Sequence, residues 1–444
     1  MTINLKKIIG YNKAKGRAGI YSICSANPFV LKAAIKQAQS DGSLLLIEST
    51  SNQVDQFGGY TGMTPQTFIN FVNQIARESF FPNERIIFGG DHLGPNAWQY
   101  RDASEAMTLA EEQVRAYIRA GFLKIHIDTS MALGGDKKDE NSLINPELIA
   151  ERTSKLCAVA EDEWQNMSKQ GPQPLYIIGA EVPIPGGAIH EFEDICITGG
   201  EEIEETYYQT KNVFEKSNLQ DAWQRVIAMV IQPGVEFSDT QILAYSREKN
   251  QEIISKIKNF NGIAFEAHST DYQKKDTLRQ MVEDHFVILK VGPWLTFTLR
   301  EALFALESIE KEWFGLKRTV KLSALRDTIE MIMKEKPKYW LKHYHGNKEQ
   351  LAFARKYSYS DRVRYYWPHP EIKAAVERLI ENLTREAPPL NLVSQFMPGQ
   401  YHHIQEGIIE NNPLSLIYDK INEITSIYSY ATDKNGAEVK LEDK

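Results

Sequence analysis

The sequence predicts an eight-stranded parallel (β/α)8 barrel, a TIM barrel, followed by a helical C-terminal extension, and three observations carry that prediction. A short β-branched apolar run ending in a polar or acidic residue before a loop occurs eight times. Between runs lie stretches long enough for crossover helices, such as Ala103–Ala120 and Asp239–Lys258. The pattern stops near Ser308, after the amphipathic segment Leu295–Leu306, so the barrel is placed at residues 1–308 and the extension at 309–444. Eight βα units close on themselves, and active sites of that architecture lie at the C-terminal strand ends.

In order, Tyr21–Ile23 leads into Ser25 and Asn27, Leu44–Ile47 into Glu48, Ile86–Phe88 into Asp91 and His92, and Leu123–Ile127 into Asp128. Tyr176–Ile178 then leads into Glu181, Val226–Ile231 into Gln232, Ile263–Phe265 into His268, and Val287–Val291 into Gly292. In the extension Arg318–Lys334, Pro370–Thr384 and Pro413–Ser429 read as helices, and Tyr357–Pro368 as an aromatic and basic loop.

Composition narrows the function. A chain of 444 residues with 42% hydrophobic content buries a large core, and roughly 300 residues for a barrel leave room for a second part. A formal net charge of −8 argues against nucleic acid or anionic membrane as partner. Cys24, Cys157 and Cys196 are too few and scattered for a disulfide framework or a CxxC zinc site, which fits a reducing cytoplasm. The start of the chain has no apolar core of signal-peptide length and no stretch approaches about 18 apolar residues, so a cytoplasmic protein is expected.

Strand alternation sets the register. Leu123, Ile125 and Ile127 form an outward set, leaving Lys124, His126 and Asp128 inward; Val287, Leu289 and Val291 face out, turning Ile288 and Lys290 in; Glu266 and His268 share the lumen. Lys290 and Glu266 are then expected to pair, because an isolated buried charge is costly. The pair is either structural or accompanies a catalytic Lys290, a desolvated lysine able to form a Schiff base with a ketose.

At the third strand end, Gly89-Gly-Asp-His-Leu-Gly-Pro sets Asp91 beside His92, and the glycines permit a bulge that would bring both to one site. Together with Glu181, Gln232 and His268 they form a candidate ligand set for zinc or a similar divalent ion acting as Lewis acid, with Asp91 as general base and Glu181 as ligand or catalytic group. His126 reads as a satisfied interior histidine. Glu48, Gln53, Asp128 and Asp271 are expected to contact substrate, although Glu48 could instead bind loop amides. Gly186 and Gly187, like Ser269, offer a backbone or hydroxyl cradle for phosphate. Arg362 and Arg364 among aromatics could clamp a phosphate or form a subunit contact.

Several long motifs sharpen this reading. Ser51-Asn-Gln-Val-Asp-Gln-Phe-Gly-Gly-Tyr-Thr-Gly-Met-Thr-Pro, Gly89-Gly-Asp-His-Leu-Gly-Pro-Asn, Gln232-Pro-Gly-Val-Glu-Phe, Phe265-Glu-Ala-His-Ser-Thr-Asp-Tyr-Gln, Leu289-Lys-Val-Gly-Pro and Tyr357-Ser-Tyr-Ser-Asp-Arg-Val-Arg-Tyr-Tyr-Trp-Pro resemble the Z-type subunits of D-tagatose-1,6-bisphosphate aldolase over nearly the whole chain. The resemblance implies a role in galactitol, tagatose or N-acetylgalactosamine catabolism, a ketohexose or ketohexose phosphate as substrate, and a shorter class II aldolase subunit as partner; a homo-oligomer is also expected. Z-type chains are similar to zinc-dependent class II aldolases, whose metal is held by histidines from three strands beside an Asp-His pair. Asp91, His92 and His268 match that pattern, whereas Gln232 stands where a histidine ligand belongs. Either the metal is weak, or Glu181 completes the site, or aldolase chemistry is lost. Some relatives are associated with ketose 4-epimerisation, interconverting fructose and tagatose forms.

Overall fold

The computed structural model describes residues 2–137, 144–179, 197–317 and 320–432. Eight strands close into a parallel barrel: β1 (Ile20–Ile23), β2 (Leu45–Thr50), β3 (Ile86–Leu93), β4 (Lys124–Ile127), β5 (Leu175–Gly179), β6 (Val226–Val230), β7 (Ala264–Ala267) and β8 (Phe286–Val291). Closure is made by β1 against β8, with Ile20 opposite Ile288 and Ile23 opposite Val291. Each strand coincides with one of the eight apolar runs. An antiparallel two-stranded hairpin, Glu236–Phe237 with Ile242–Leu243, occupies part of the stretch after β6 where a long crossover helix was expected. The helix there is only Gln251–Ile257.

Three crossover helices begin with one device. Asn27, Thr64 and Asn145 each accept a backbone N–H with the side-chain oxygen, and each is followed by proline in the first helical turn. The cap satisfies a donor that helix geometry leaves orphaned, and proline has no N–H to orphan.

Alternation sorts the strand residues largely as expected. Ile125, Ile127, Leu289 and Val291 pack into the shell with Tyr117 and Leu299, whereas Lys124, His126, Glu266 and Lys290 are buried in polar contacts with one another's strands. Two residues depart. Leu123 and Val287 join the second apolar cluster, with Ile20, Leu46, Ile87 and Ile288. Leu123 precedes the first residue of β4, and β8 carries a register irregularity between Phe286 and Ile288, so the two-residue period does not govern either position.

That cluster is completed by Leu5, Ile8 and Ile9 of the N-terminal helix Thr2–Lys15, an element the strand pattern did not announce. The buried Asn12 carboxamide donates to Ala18 O and Val282 O, both at 2.8 Å, and its oxygen lies 2.9 Å from His285 Nδ1. Lys13 donates to the carbonyls of Ile257, Phe260 and Ile263, and burial pushes its ammonium down to about 8.

The boundary drawn at Ser308 falls inside one continuous helix, Pro293–Phe314, because the buried stripe that begins at Leu295 runs on through Ile309 to Phe314. Leu325–Glu335, Pro370–Arg385 and Pro413–Thr432 follow. The last helix returns to pack on Pro28–Ser40, and Gly19 N–H donates to Thr432 O at 3.0 Å. Among the described residues no helix is long and apolar enough to cross a membrane.

Candidate metal centre and active-site pocket

The glycines of β3 act through space rather than flexibility alone. A Cβ at Gly89 would lie 2.6 Å from Glu48 Cγ, so the lumen holds the Glu48 carboxylate only because residue 89 has no side chain. The β3–β4 register shifts between Gly90 and Leu93, and His92 takes a left-handed φ of 50°. This bulge lets adjacent residues serve one site: Asp91 Oδ2 lies 3.8 Å from His92 Nε2.

Three imidazoles from three strand ends meet there. Ring centroids of His92 and His126 are 5.0 Å apart, His92 and His268 4.8 Å, and His126 and His268 5.1 Å. Each ring has its own carboxylate: His92 Nδ1 with Asp128 Oδ2 at 2.9 Å, His126 Nδ1 with Asp91 Oδ1 at 2.9 Å, and His268 Nε2 with Glu266 Oε1 at 3.0 Å. One ring nitrogen from each histidine and an oxygen of Asp91 all lie within 4.8 Å of one another.

The titration states follow from burial set against charge. Burial drives His126 down to about 4, outweighing its bond to Asp91. Burial also lowers His268, whereas at His92 the carboxylates of Asp91 and Asp128 overcome it and raise the ring. Asp128 falls to about 2 despite burial, because it accepts from His92. Asp91 is likewise held well below the carboxylate range against burial, chiefly by Lys290 and His92.

His126 supplies the test of whether an ion fits. Its Nδ1 has two neighbours, the Asp91 carboxylate and the His92 N–H at 3.1 Å, and donation to the ionised carboxylate is the stronger bond. Nε2 is buried and has no hydrogen-bond partner among the described residues. A buried bare nitrogen is costly unless something occupies the space before it. Three imidazoles, each oriented by a carboxylate, are the donor set that divalent zinc and similar ions take, so the residues fit a metal.

Beneath the histidines lies a charge network. Lys290 Nζ is 2.5 Å from Glu48 Oε2, 2.8 Å from Asp91 Oδ1 and 3.6 Å from Glu266 Oε1; Lys124 Nζ is 2.9 Å from Glu48 and 2.8 Å from Glu266. The expected Lys290–Glu266 pair is present, but Glu48 and Asp91 are the closer partners. Burial would lower Lys290, yet Asp91, Glu48 and Glu266 together hold its ammonium well above the usual range. It is not the neutral amine a Schiff base requires.

The family model for D-tagatose-1,6-bisphosphate aldolase subunit GatZ/KbaZ-like proteins matches residues 5–433. The chain belongs to the GatZ/KbaZ-like family. Among solved structures, a probable tagatose 6 phosphate kinase from Sinorhizobium meliloti 1021 is 42% identical with a TM-score of 0.84, over 93% of this chain and 100% of that one. A fructuronate-tagaturonate epimerase from Cohnella laeviribosi is 12% identical with a TM-score of 0.48, over 94% and 81%. A fructose-bisphosphate aldolase from Campylobacter jejuni is 14% identical with a TM-score of 0.44, over 85% and 91%.

In this GatZ/KbaZ-like protein the mouth of the barrel holds a pocket of ≈ 70 Å³ lined by Asp91, His92, His268, Gln53, Ser269, Asp271 and Arg364 among others, so each of these expected site residues reaches it. Asp271 also accepts from Gly292 N–H at 3.0 Å and Trp294 N–H at 2.8 Å, anchoring the first turn after β8, and burial raises it to about 6. A larger cavity of ≈ 540 Å³ shares Cys24, Gln53, Tyr60 and Arg364 with it.

Five placements differ from expectation, one of them His126, which was read as a satisfied interior histidine and whose buried Nε2 has no hydrogen-bond partner among the described residues. Glu48 is not among the residues lining the pocket; it is fully buried between Lys124 and Lys290. Asp128 is spent on His92 Nδ1 and on Ser130, behind the ring it orients. Gln232 is outside the histidine cluster because its side-chain oxygen accepts the N–H groups of Gly234 and Val235 in its own loop. The third imidazole comes instead from His126. Arg362 points into the extension, toward His343 Nδ1 at 2.8 Å and Tyr339 O. Glu181, Gly186 and Gly187 lie outside the described residues. Asn52, Tyr60 and Tyr365 line the pocket without having been singled out, although all three sit in the motifs quoted above.

Proposed function

We propose that this chain carries a working divalent-metal site of class II aldolase type, with zinc the ion that best suits the donors, and that it makes and breaks the C3–C4 bond of a ketohexose or ketohexose phosphate. The observation that carries the reading is the triple imidazole cluster with a carboxylate on every ring, Asp128 on His92, Glu266 on His268 and the pocket-lining Asp91 on His126. A chain kept only as a scaffold for another subunit has no use for three oriented imidazoles and an orphaned ring nitrogen.

His92, His126 and His268 would hold the ion, which when bound supplies Lewis-acid polarisation of a substrate carbonyl. Asp91 is ionised and lines the pocket, so it can accept the C4 hydroxyl proton as the C3–C4 bond breaks and its electron pair stays on the ketone fragment. Lys290, at 2.8 Å, keeps Asp91 charged between turnovers. Gln53, Asn52 and Ser269 offer polar groups to the sugar hydroxyls, and Tyr60, Phe237 and Pro293 exclude water around them. Re-addition to the same aldehyde face restores the ketose; addition to the other face yields the 4-epimer, so a ketohexose 4-epimerase without a partner is the alternative outcome of the same site.

The test is to incubate the purified chain with fructose, tagatose and their phosphates, with and without added zinc, reading triose release, 4-epimer formation and bound metal. A chain that binds no metal and turns over none of these sugars, yet restores activity to a separate class II aldolase subunit, would establish the accessory role instead.

A further inference from the structure

The aromatic and basic turn of the extension puts one residue in the pocket that the aldol reading leaves without a role. Tyr365 is buried at the pocket wall, its ring 4.7 Å from Tyr60 and stacked at 4.9 Å on Tyr339. Arg364 donates to its hydroxyl at 3.1 Å, and the Arg364 guanidinium also sits 4.5 Å from its ring centre. The other Arg364 contacts are Ser360 O and Asp361 O, so this arginine is committed to its own turn and to the phenol rather than held open as a fork for phosphate. The turn itself is fixed. Asp361, at a left-handed φ of 43°, accepts from Arg300 Nε at 2.9 Å and Thr296 Oγ1 at 2.7 Å, all three buried.

The environment of this phenol differs from that of the other buried tyrosines. Burial pushes Tyr21, Tyr117, Tyr176, Tyr272 and Tyr428 upward. At Tyr365 burial acts the same way but is outweighed by Arg364 and Arg362, with a further hydrogen bond from Asn52, and the phenol is lowered. The groups that face it are Arg364 and Arg362 from its own turn, Tyr339 from the preceding one, and Tyr60 and Asn52 from the loop after β2. The pocket thus sets the phenol of the extension across from Asp91, which the aldol reading uses as base at the strand ends.

We propose that Tyr365 is the second proton-transfer residue of this site, delivering a proton to the C4 oxygen when the aldehyde is re-attacked on its opposite face, so that the chain inverts C4. The inference rests on the aldol reading above and extends it to stereochemistry. Asp91 takes the C4 hydroxyl proton as C3–C4 breaks. The aldehyde turns about its C4–C5 bond, C3–C4 re-forms on the other face, and the electron pair of the carbonyl passes to the C4 oxygen. That oxygen takes the Tyr365 proton, leaving a phenolate beside Arg364. Water returns the proton from Asp91 to the phenolate, so neither oxidant nor reductant is consumed. A single base cannot do this readily, because the oxygen formed on the second face points away from the carboxylate that served the first.

The experiment compares zinc-loaded wild type, Tyr365→Phe, 3-fluorotyrosine at 365, and Asp91→Asn, with 4-epimer formation and triose release measured separately on fructose and tagatose phosphates. Tyr365→Phe is expected to lose about 100-fold in epimerisation, a far larger loss than in triose release. Asp91→Asn should lose both. The more acidic fluorinated phenol fills the same space and should move the alkaline limb of the epimerisation profile to lower pH without moving that of triose release. Thermal unfolding of each variant identifies a change that acts through folding. Epimerisation at the wild-type rate in Tyr365→Phe, or a fluorotyrosine profile identical to wild type, overturns the role of Tyr365 while leaving the aldol reading standing. A wild-type chain that neither cleaves nor epimerises removes both.

Discussion

Lys290 Nζ lies 2.8 Å from Asp91 Oδ1 and 2.5 Å from Glu48 Oε2, so a single ammonium joins the barrel's interior charges to the pocket at its mouth. Lysine at this position stabilises carboxylates on three other strands, which makes it a structural residue with a chemical consequence.

Replacing Lys290 by Met should therefore destabilise the fold by about 3 kcal/mol or more, since it strands buried carboxylates instead of removing a balanced pair. Chemical denaturation measures this. Borohydride added with substrate should trap nothing on Lys290, because its ammonium is held charged. A trapped adduct at residue 290 would be incompatible with the network described.

The ligand set predicts a pattern across variants. His126→Ala and His268→Ala should each lose metal and turnover, whereas Asp91→Asn should retain at least part of the metal and lose turnover through the base. Gln232→Ala should leave metal stoichiometry unchanged, because that amide serves its own loop. Elemental analysis of dialysed protein decides between this set and one in which residue 232 is a ligand. Chelation should abolish turnover, and added zinc should restore it.

Acid sensitivity should have a local source at His343. Its Nδ1 accepts from Arg362, which has only donors, so the ring must be neutral; burial and the Arg362 charge push it from 6.5 to about 4. The unfolded chain then binds the proton first. Stability is complete above about pH 6.5 and is lost progressively as pH falls through about 4. Unfolding midpoints at several pH values should fall less steeply for His343→Gln than for wild type. Parallel curves would show that this ring carries none of the effect.

Asp361→Ala should cost about 3 kcal/mol, because it leaves the Arg300 guanidinium buried without its carboxylate. The same change should raise KM, since the turn that holds Arg364 and Tyr365 against the pocket loses its anchor. Unchanged stability would mean that Arg300 finds another partner.

The barrel was legible because each strand coincides with a short apolar run, most of them rich in β-branched residues and most leading into a polar residue, a repeat that survives without knowledge of contacts. The inward placement of Lys124, His126 and Lys290 was legible for the same reason. What failed was partner choice. Alternation sends His126 inward but cannot say that Asp91, on the neighbouring strand, will orient it, and Gln232 drew attention only because it follows a strand. Arg362 and Arg364 are two positions apart in one tight turn and diverge, a difference set by Asp361 and its partner on a distant helix. The N-terminal helix escaped because Lys6 and Lys7 interrupt its apolar set of Leu5, Ile8 and Ile9; Lys6 donates to Gln224 O and, further on, Lys13 to the carbonyls of Ile257 and Ile263.

The contact between Tyr428 and Thr270 bears on how the protein is born. Thr270 Oγ1 donates to Lys290 O at 2.6 Å, and Tyr428, 158 residues later in the chain, donates from its buried hydroxyl to Thr270 O at 2.8 Å. A ribosome that has already delivered His268 and Lys290 has not yet delivered the side chain that fastens their strand ends together. Domains tend to fold as they emerge, and here the hydrogen bond that Tyr428 gives to the mouth of β7 and β8 forms only after the helix Pro413–Thr432 has left the exit tunnel. A chain stopped after the barrel would contain all three imidazoles and still lack a finished site.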